Sequence, residues 1–361
     1  VSLTLQRMLH WLDQRHALTL IRPGQGRPDN GEALTHGRTV ILPGLGLPRY
    51  PGLRLGLPAT GRLLRCWEAA PPDVVHVITE GPLGWSAIRA ASRLGIPVIS
   101  DFHTNFHQYL AHYRAAWLQP LALRYLRRLH NATALTLVPT ETVAADLRRQ
   151  GFHGLDLLPR GIDTARFHPG RRSPALRADW GVAPGAPVLL TVGRVAPEKN
   201  LDLACETFLR VRERHPDAAL VVVGDGPARE SLQARYPTVR FVGAQQGLRL
   251  AEHYASADLF LFPSETDTFG NVVLEAMSSG LAVVAYDGGA ARRHIVDGIS
   301  GLRVPFADRP AFLVAAGSLL DDELAVRRIG RAARAAVLEL DWDSVCCRYE
   351  QLLRQVVAGH G

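Results

Sequence analysis

The sequence predicts an α/β protein made of two doubly wound domains with parallel sheets. The chain has 361 residues, more than the roughly 250 to 300 residues that one hydrophobic core usually organises. Short runs rich in Leu, Val and Ile alternate with helical stretches, about one run in every 20 to 40 residues, as parallel α/β units require. A stretch rich in Pro, Gly and Arg divides these runs into two series. Such a stretch is typical of a linker between domains.

The first series supplies six candidate strands, in the order ALTLI, TVILP, VVHVIT, PVISDF, ALTLVP and LDLLP. They predict an N-terminal domain at residues 1–168 and a linker at residues 169–186. The second series reads PVLLTVGR, AALVVVGDG, VRFVG, DLFLFPS, LAVVAYDGG and GLRVP. It predicts a C-terminal domain at residues 187–341, followed by a last helix within residues 342–361. Two Rossmann-like domains of this kind are expected to face each other across a cleft, with the functional residues directly after the strands.

Composition and cysteine usage exclude several classes of protein. Hydrophobic residues make up 47% and charged residues 21% of the chain, which are ordinary values for a folded protein and not for a disordered one. The four Cys residues show neither C-x-x-C spacing nor His partners at metal-ligand intervals, so we expect free thiols in the cytoplasm and no metal site. Because no apolar run approaches the roughly 18 residues that span a bilayer, any membrane contact is expected to be peripheral.

The positive charge is concentrated in the first half of the chain. The net charge is +7, but residues 1–168 carry 19 Arg against 11 Asp and Glu, whereas residues 169–361 carry 22 Lys and Arg against 23 Asp and Glu. This asymmetry predicts a basic surface for an anionic partner, either nucleic acid or anionic lipid. The segment QYLAHYRAAWLQPLALRYLRRLHN interleaves aromatic residues and Leu with Arg. That pattern fits a helix on an anionic membrane, or a domain helix with a solvated Arg face.

Two motifs follow strands of the second series and carry groups that bind anions. In PSETDTFGNVVLEAMSSG, a helix is expected to begin near Asn271, so that the amides of Phe269, Gly270 and Asn271 form an anion site at its N-terminus. Glu275 lies about one turn into this helix, where a carboxylate suits a pair of sugar hydroxyls. The alternative is a capped helix whose Glu275 is solvated.

The second motif, VGRVAPEKN, places Arg194 and Lys199 in one turn, where they could clamp a diphosphate. Lys199 is the only Lys in the chain; its compact ammonium fits beside a phosphate where a planar guanidinium is too broad. A solvated Lys is the alternative. In VVVGDGPA, Gly224 and Gly226 could let a base or ribose lie against the backbone, although turns between strands and helices use such residues anyway.

The chain resembles the retaining glycosyltransferases of family 4, which have two Rossmann-like domains in the GT-B arrangement. The residues that carry this resemblance are GRVAPEKN, VVGDGP, FVG, YASADLFLFPS, DTFGNVVLEAMSSGLAVVAYDGG and IVDGISGLRV in the second half, and FHTNFHQY and LPRGIDTARFHP in the first. HTNFHQY and DTFGNVVLEAM are most similar to the branch of GDP-mannose-dependent α-mannosyltransferases and glycolipid sugar transferases. The resemblance also implies a strand and a glycine-rich turn ahead of the first helix, and residue 1 already stands at that helix.

The resemblance implies roles for individual residues. Arg194 and Lys199 hold the donor diphosphate, and Glu275 binds the ribose hydroxyls. His103 faces the donor sugar, as does Asp267, which is separated from Glu275 by seven residues and stands where the family commonly has Glu. The implied catalytic residues are thus His103, Asp267, Arg194 and Lys199, and the implied donor-binding residues are Gly193, Arg194, Lys199, Gly224, Gly226, Phe269, Gly270, Asn271, Val272 and Glu275.

The function implied by the resemblance is transfer of a hexose, with mannose favoured, from a nucleotide-diphosphate sugar to a hydroxyl of a lipid or glycan acceptor. The N-terminal domain would take the acceptor. The donor is a co-substrate, with GDP-mannose favoured over UDP-sugars, and no cofactor or metal is expected. We expect an anionic membrane surface, the inner face of the cytoplasmic membrane, as partner and no nucleic acid. A nucleotide-sugar epimerase of the same two-domain fold is one alternative, and a basic nucleic-acid-binding protein is the other.

Overall fold

The computed structural model describes residues 2–24, 34–47, 50–102, 119–265 and 270–360. It divides the chain into two compact units, one of residues 1–160 with 343–361 and one of residues 161–342. Each unit contains parallel strands joined through helices. Within the described ranges, no helix is long and apolar enough to cross a bilayer.

Within its described residues, the first unit contains three small sheets. Strands β1 (Thr19–Pro23) and β2 (Arg38–Leu42) pair in parallel, and β3 (Gly44–Leu47) and β4 (Tyr50–Gly56) form an antiparallel hairpin. A parallel four-stranded sheet contains β5 (Val75–Val77), β6 (Val98–Asp101), β7 (Leu135–Val138) and β8 (Leu155–Leu157) in that order. The helices are α1 (Ser2–Asp13), α2 (Thr60–Ala69), α3 (Pro82–Arg93), α4 (Gln119–His130) and α5 (Glu141–Arg149). All six strands predicted in this half are present, whereas the β3–β4 hairpin was not predicted.

The second unit is built on one six-stranded parallel sheet. Its strands are β9 (Val188–Val192), β10 (Ala219–Val223), β11 (Arg240–Gly243), β12 (Leu259–Phe262), β13 (Ala282–Tyr286) and β14 (Leu302–Val304). They lie in the order β11-β10-β9-β12-β13-β14, which is the doubly wound order 3-2-1-4-5-6. The order reverses between β9 and β12, and ligands of such sheets bind at that point. The predicted α/β class is confirmed, and the second unit is doubly wound as predicted.

The four central strands of this sheet, β10, β9, β12 and β13, are buried on both faces by flanking helices. The helices are α6 (Pro174–Asp179), α7 (Leu201–Arg212), α8 (Arg229–Arg235), α9 (Gly247–Ser256), α10 (Asn271–Ser278), α11 (Gly289–His294), α12 (Arg309–Leu320) and α13 (Glu323–Val337). Alternate residues of β9 enter different cores, Val188 and Leu190 on one face and Leu189 on the other. This burial explains why the strands are near-continuous apolar runs.

Residues 161–186 pack into the second unit, so the boundary lies at residues 160/161 and differs from the one drawn at 168/169 from the sequence. Trp180 of this segment is buried in the core. The Arg177 guanidinium donates to the Ser256 carbonyl at 2.8 Å and to the Asp258 carboxylate at 3.2 Å. The stretch rich in Pro, Gly and Arg is therefore an ordered part of the unit that follows it.

The last helix, α14 (Trp342–Ala358), was predicted from Trp342 onward. From Asp343 it belongs to the first unit, where Tyr349 is buried. Glu350 accepts a hydrogen bond from the Trp11 indole at 3.3 Å and lies 3.0 Å from the His16 ring. These contacts attach the end of the chain to α1.

Candidate active site

The turns that follow β9 and β12 meet where the strand order reverses. The backbone amide of Glu265 donates to the Glu198 carbonyl at 3.2 Å, and the Lys199 ammonium donates to the Ser264 hydroxyl at 3.3 Å. In a doubly wound sheet, a crevice opens at the carboxyl ends of the two adjacent strands between which the strand order reverses. The chain's single Lys therefore lies at the expected ligand position of this sheet.

The two predicted cations of the β9 turn lie in different surroundings. Lys199 is half-buried and ends a short 3₁₀ helix, Pro197–Lys199. Asn200 follows it in the left-handed conformation, with φ of 51°, and is the N-cap residue that precedes α7. Arg194 is exposed, and its guanidinium lies 3.7 Å from the Glu198 carboxylate. The structure thus brings Lys199 to the β12 turn and holds Arg194 beside an acidic side chain at the surface.

Three of the predicted donor-binding glycines join two turns to each other. Gly193 donates its amide to the Val223 carbonyl at 3.0 Å. A Cβ added to Gly224 would lie 1.8 Å from the Gly193 carbonyl oxygen, and one added to Gly226 would lie 2.3 Å from the Val195 carbonyl oxygen. The close approach of the turns after β9 and β10 therefore requires Gly at 224 and 226, with or without a ligand.

The N-terminus of α10 is formed as the sequence predicts, beginning at Asn271. Gly270 has a left-handed φ of 57°, and a Cβ there would lie 2.6 Å from the Cβ of Ala290. Asn271 is exposed and Val272 is half-buried. The first amides of α10 are therefore presented by a turn that only Gly fits, at the positive end of the helix dipole.

Glu275 is not a solvated side chain on a helix surface. Its carboxylate accepts a hydrogen bond from the Tyr254 hydroxyl at 2.9 Å, and Tyr254 is buried. Burial raises the pKa of Glu275 to about 7, against the opposing effects of the Tyr254 hydrogen bond and the nearby Arg166 charge. Glu275 is half-buried and its carboxylate has a specific hydrogen-bond partner, which a freely solvated side chain would lack.

Sequence reasoning did not single out Tyr254 or Arg166. Both lie in motifs that carry the family resemblance, YASADLFLFPS and LPRGIDTARFHP. Neither motif indicates that these residues lie near Glu275 on α10. His103, Asp267 and Phe269 lie outside the described residues. In the part of the chain that the structure covers, no group of three or more His, Cys, Asp or Glu could hold a metal ion.

Comparison with known proteins places the chain in a family. Residues 186–322 match the family model described as Glycosyl transferases group 1, and residues 1–166 match Glycosyltransferase Family 4. A GDP-mannose-dependent alpha-mannosyltransferase of Mycobacterium tuberculosis (strain CDC 1551 / Oshkosh) is 36% identical over 329 residues, which cover 90% of this chain and 83% of the relative. The chain belongs to glycosyltransferase family 4.

One further relative agrees with this assignment, and one solved structure agrees with the fold. The Sulfoquinovosyl transferase SQD2 of Arabidopsis thaliana is 34% identical over 82% of this chain and 59% of its own length. A solved structure of sucrose-phosphate synthase from Thermosynechococcus elongatus has a TM-score of 0.77 at 22% identity, covering 98% of this chain and 92% of that one. The glycosyltransferase is therefore an enzyme that transfers a hexose, and the epimerase alternative finds no support.

Proposed function

We propose that the glycosyltransferase moves mannose from GDP-mannose to a hydroxyl of a lipid or glycan acceptor, with retention of configuration. One observation of the structure carries the proposal. Lys199, held against the β12 turn, and α10, which carries Glu275, both lie at the carboxyl ends of the strands beside the reversal of strand order. The name of the Mycobacterium tuberculosis relative supports GDP and mannose as the donor groups.

The proposed donor site stabilises the diphosphate that leaves when the sugar is transferred. The Lys199 ammonium and the first amides of α10, at Asn271 and Val272, supply positive charge where the leaving group becomes more negative. Gly193 keeps the backbone open at the end of β9. Arg194 is proposed to turn from Glu198 to the diphosphate, because an exposed ion pair at 3.7 Å is easily exchanged.

The remaining contacts are proposed for the two sugars of the donor. Glu275 accepts hydrogen bonds from the ribose hydroxyls, for which a carboxylate has enough acceptor positions. Asp267 and His103 are proposed to face the mannose, and the Phe269 amide to join those of α10. Gly224 and Gly226 are proposed to lie beside the nucleoside in addition to joining the turns.

The donor is tested with a panel of nucleotide sugars. GDP-mannose, GDP-glucose, UDP-glucose and UDP-N-acetylglucosamine are incubated with the enzyme, with and without lipid or glycan acceptors. We expect release of GDP from GDP-mannose, dependent on an acceptor, and an α-linked product by NMR. If only UDP is released, the donor is a UDP-sugar and the assignment of GDP-mannose is wrong. Turnover without any acceptor would instead favour an epimerase or a hydrolase.

We also propose that the first unit rests on an anionic membrane. On α4, the side chains of Leu121, Arg124, Tyr125 and Arg128 are exposed at helical spacing i, i+3, i+4 and i+7, so they share one face. Leu121 is 66% exposed. Arg127 instead donates to the Gln150 carbonyl at 3.1 Å. This face combines apolar groups with Arg as a membrane-binding helix does.

The hairpin adds apolar side chains near α4. Leu45 and Leu55 pair across β3 and β4, and both are exposed. Leu55 lies against Gly81, and the Tyr125 hydroxyl donates to the adjacent Glu80 carbonyl at 2.6 Å. The hairpin and α4 thus flank the same turn, in the half of the chain that carries 19 Arg against 11 acidic residues.

Charge reversal tests the membrane proposal. Arg124→Glu with Arg128→Glu removes two basic residues worth about 1 kcal/mol each at an anionic surface, so vesicle binding should weaken roughly 30-fold or more. Arg148→Glu with Arg149→Glu is the matched control, since it changes net charge equally on α5, where both Arg residues pair with acidic neighbours. Co-sedimentation with vesicles containing phosphatidylserine decides the question. Equal loss in both variants, or no binding by the wild type at low salt, would contradict it.

A further inference from the structure

Tyr254 lies where three parts of the second unit converge. It is completely buried on α9, with its ring edge-on to Phe167 and tilted against Phe260, each at 5.7 Å between centroids. The Phe167 carbonyl in turn accepts a hydrogen bond from the Ser278 hydroxyl of α10 at 2.6 Å. Packing on two sides leaves the Tyr254 ring little freedom, so the position of its hydroxyl is fixed.

That fixed hydroxyl donates to one carboxylate oxygen, Oε2 of Glu275, at 2.9 Å. An ionised carboxylate offers about four lone-pair positions, and the hydrogen bond occupies one of them. The other positions remain for two neighbouring hydroxyls of a ligand. Without the hydrogen bond, the carboxylate would rotate about its last side-chain bond, which has a broad torsional preference.

We infer that Tyr254 is a positioning residue for the donor, which holds the Glu275 carboxylate in the one orientation that accepts both hydroxyls of a ribose. The inference rests on the proposed role of Glu275. The group that the carboxylate recognises is a vicinal diol, so a nucleotide that lacks the 2′-hydroxyl binds less well. Tyr254 itself does not touch the ligand and acts through Glu275.

The same hydrogen bond favours the ionised form of the carboxyl. Burial raises the pKa of Glu275 to about 7, and the Tyr254 hydrogen bond and the charge of Arg166 oppose that rise. A charged acceptor forms stronger hydrogen bonds than a neutral one. Nucleotide affinity should therefore fall as pH decreases through about 7, and removing the Tyr254 hydroxyl should move this decrease to higher pH.

Other charged or titratable groups lie on or beside the elements packed against α10. They are Arg166 and His168 ahead of the 3₁₀ helix Pro169–Arg171, His253 on α9, Arg334 on α13, and Arg292, Arg293 and His294 on α11. Burial lowers the pKa of His253 and of His294 to about 4. Neither imidazole therefore titrates between pH 6 and 8.5, the range in which the Glu275 carboxyl does.

Tyr254→Phe tests the inference, because it removes the hydroxyl and keeps the ring. Calorimetric titration with GDP and with 2′-deoxy-GDP is carried out from pH 6 to 8.5. At pH 7 we expect the Kd for GDP to rise about three- to tenfold. We also expect a smaller preference for GDP over the deoxy nucleotide, and an upward shift of the pH midpoint by about half a unit to one unit.

Tyr236→Phe is the matched control. The Tyr236 hydroxyl also donates to a carboxylate in the same unit, that of Asp202, at 3.3 Å, and its loss should leave GDP affinity and the pH midpoint unchanged. The double variant of Tyr254→Phe with Glu275→Gln is also compared with Glu275→Gln alone. Positioning predicts that Tyr254→Phe has no further effect on affinity once the carboxylate is gone.

The outcomes separate the inference from the proposed function. If Glu275→Gln binds GDP as the wild type does, Glu275 is not in the donor site, and both fail. If Glu275→Gln weakens GDP binding but Tyr254→Phe changes neither the diol preference nor the pH midpoint, only the positioning role is overturned. The same holds if Tyr254→Phe weakens GDP binding equally in the Glu275→Gln background.

Discussion

Replacing Gly224 by Ala adds a methyl group where the turns after β9 and β10 lie against each other. The new Cβ would lie 1.8 Å from the Gly193 carbonyl oxygen, about half the ~3.5 Å at which such atoms attract. The neighbour in this contact is backbone, so no side-chain rotation relieves it. The two turns must separate.

The cost follows from the hydrogen bonds that join these turns. Gly193 donates to Val223 at 3.0 Å, Val195 donates to Asp225 at 2.9 Å, and Ala228 donates to Val195 at 3.1 Å. Losing two of the three, at about 1.5 kcal/mol each when the groups stay buried, reduces the free energy of unfolding by about 3 kcal/mol. For a unit of this size, that lowers Tm by roughly 6 to 12 °C.

Differential scanning calorimetry measures this change, and Gly288→Ala is the control. A Cβ at Gly288 would have open space around it, and its backbone is extended, with φ of −159°, so we expect a change within about 0.5 kcal/mol. A fall in Tm of less than about 2 °C for Gly224→Ala would refute the steric reasoning. Loss of nucleotide affinity with unchanged Tm would mean that Gly224 is required by the ligand alone.

Two other predictions concern single charges. Lys199→Ala should reduce turnover about 100- to 1,000-fold with little change in Tm, since a positioned cation on a leaving group contributes about 3 to 4 kcal/mol; near-normal turnover in the folded variant would remove Lys199 from the site. Glu350→Gln should lower Tm at pH 7, because hydrogen bonds from Arg354, and then from Trp11 and His16, lower the pKa of Glu350 from 4.5 to about 2. A lowered carboxyl pKa stabilises the fold above pH 4.5, and that contribution is lost as pH falls toward 2. The difference in Tm between wild type and variant should therefore narrow below pH 4.5, and a constant difference would contradict the assignment.

The sequence predicts the strands well where burial on both faces makes them continuous apolar runs. All twelve predicted strands are present, and the turns after β9, β10 and β12 carry the motifs as expected. The hairpin at Gly44–Leu47 and Tyr50–Gly56 has no such run, because Gly, Pro and Arg interrupt its Leu residues. These two strands form because they pair with each other. The residue pattern of one strand alone does not show which segment it pairs with.

The site shows a similar limit for contacts between distant residues. Local spacing is enough to predict a helix that begins at Asn271 and a carboxylate one turn later. The orientation and the pKa of that carboxylate depend on Tyr254, 21 residues earlier in the chain, and its pKa also depends on Arg166, which is farther still. These partners are set by how α9 and the start of the second unit pack against α10, so the sequence left a solvated Glu275 open as an alternative.

The contrast between Lys199 and Arg194 explains why one cation of the proposed diphosphate clamp is the chain's single Lys. Lys199 is half-buried between two turns, and its ammonium is held 3.3 Å from the Ser264 hydroxyl, so in the proposed site it is in place before a donor binds. A guanidinium there would need room for its planar fork and for more hydrogen-bond acceptors. The side chain of Arg194 is 67% exposed and lies 3.7 Å from a Glu198 carboxylate, so it changes partner at little cost. A charge that is already held in place mainly stabilises the transition state. An exposed charge mainly increases the rate and affinity of donor binding, and salt screens this effect. Lys199 should therefore determine kcat, and Arg194 should determine donor affinity at low ionic strength.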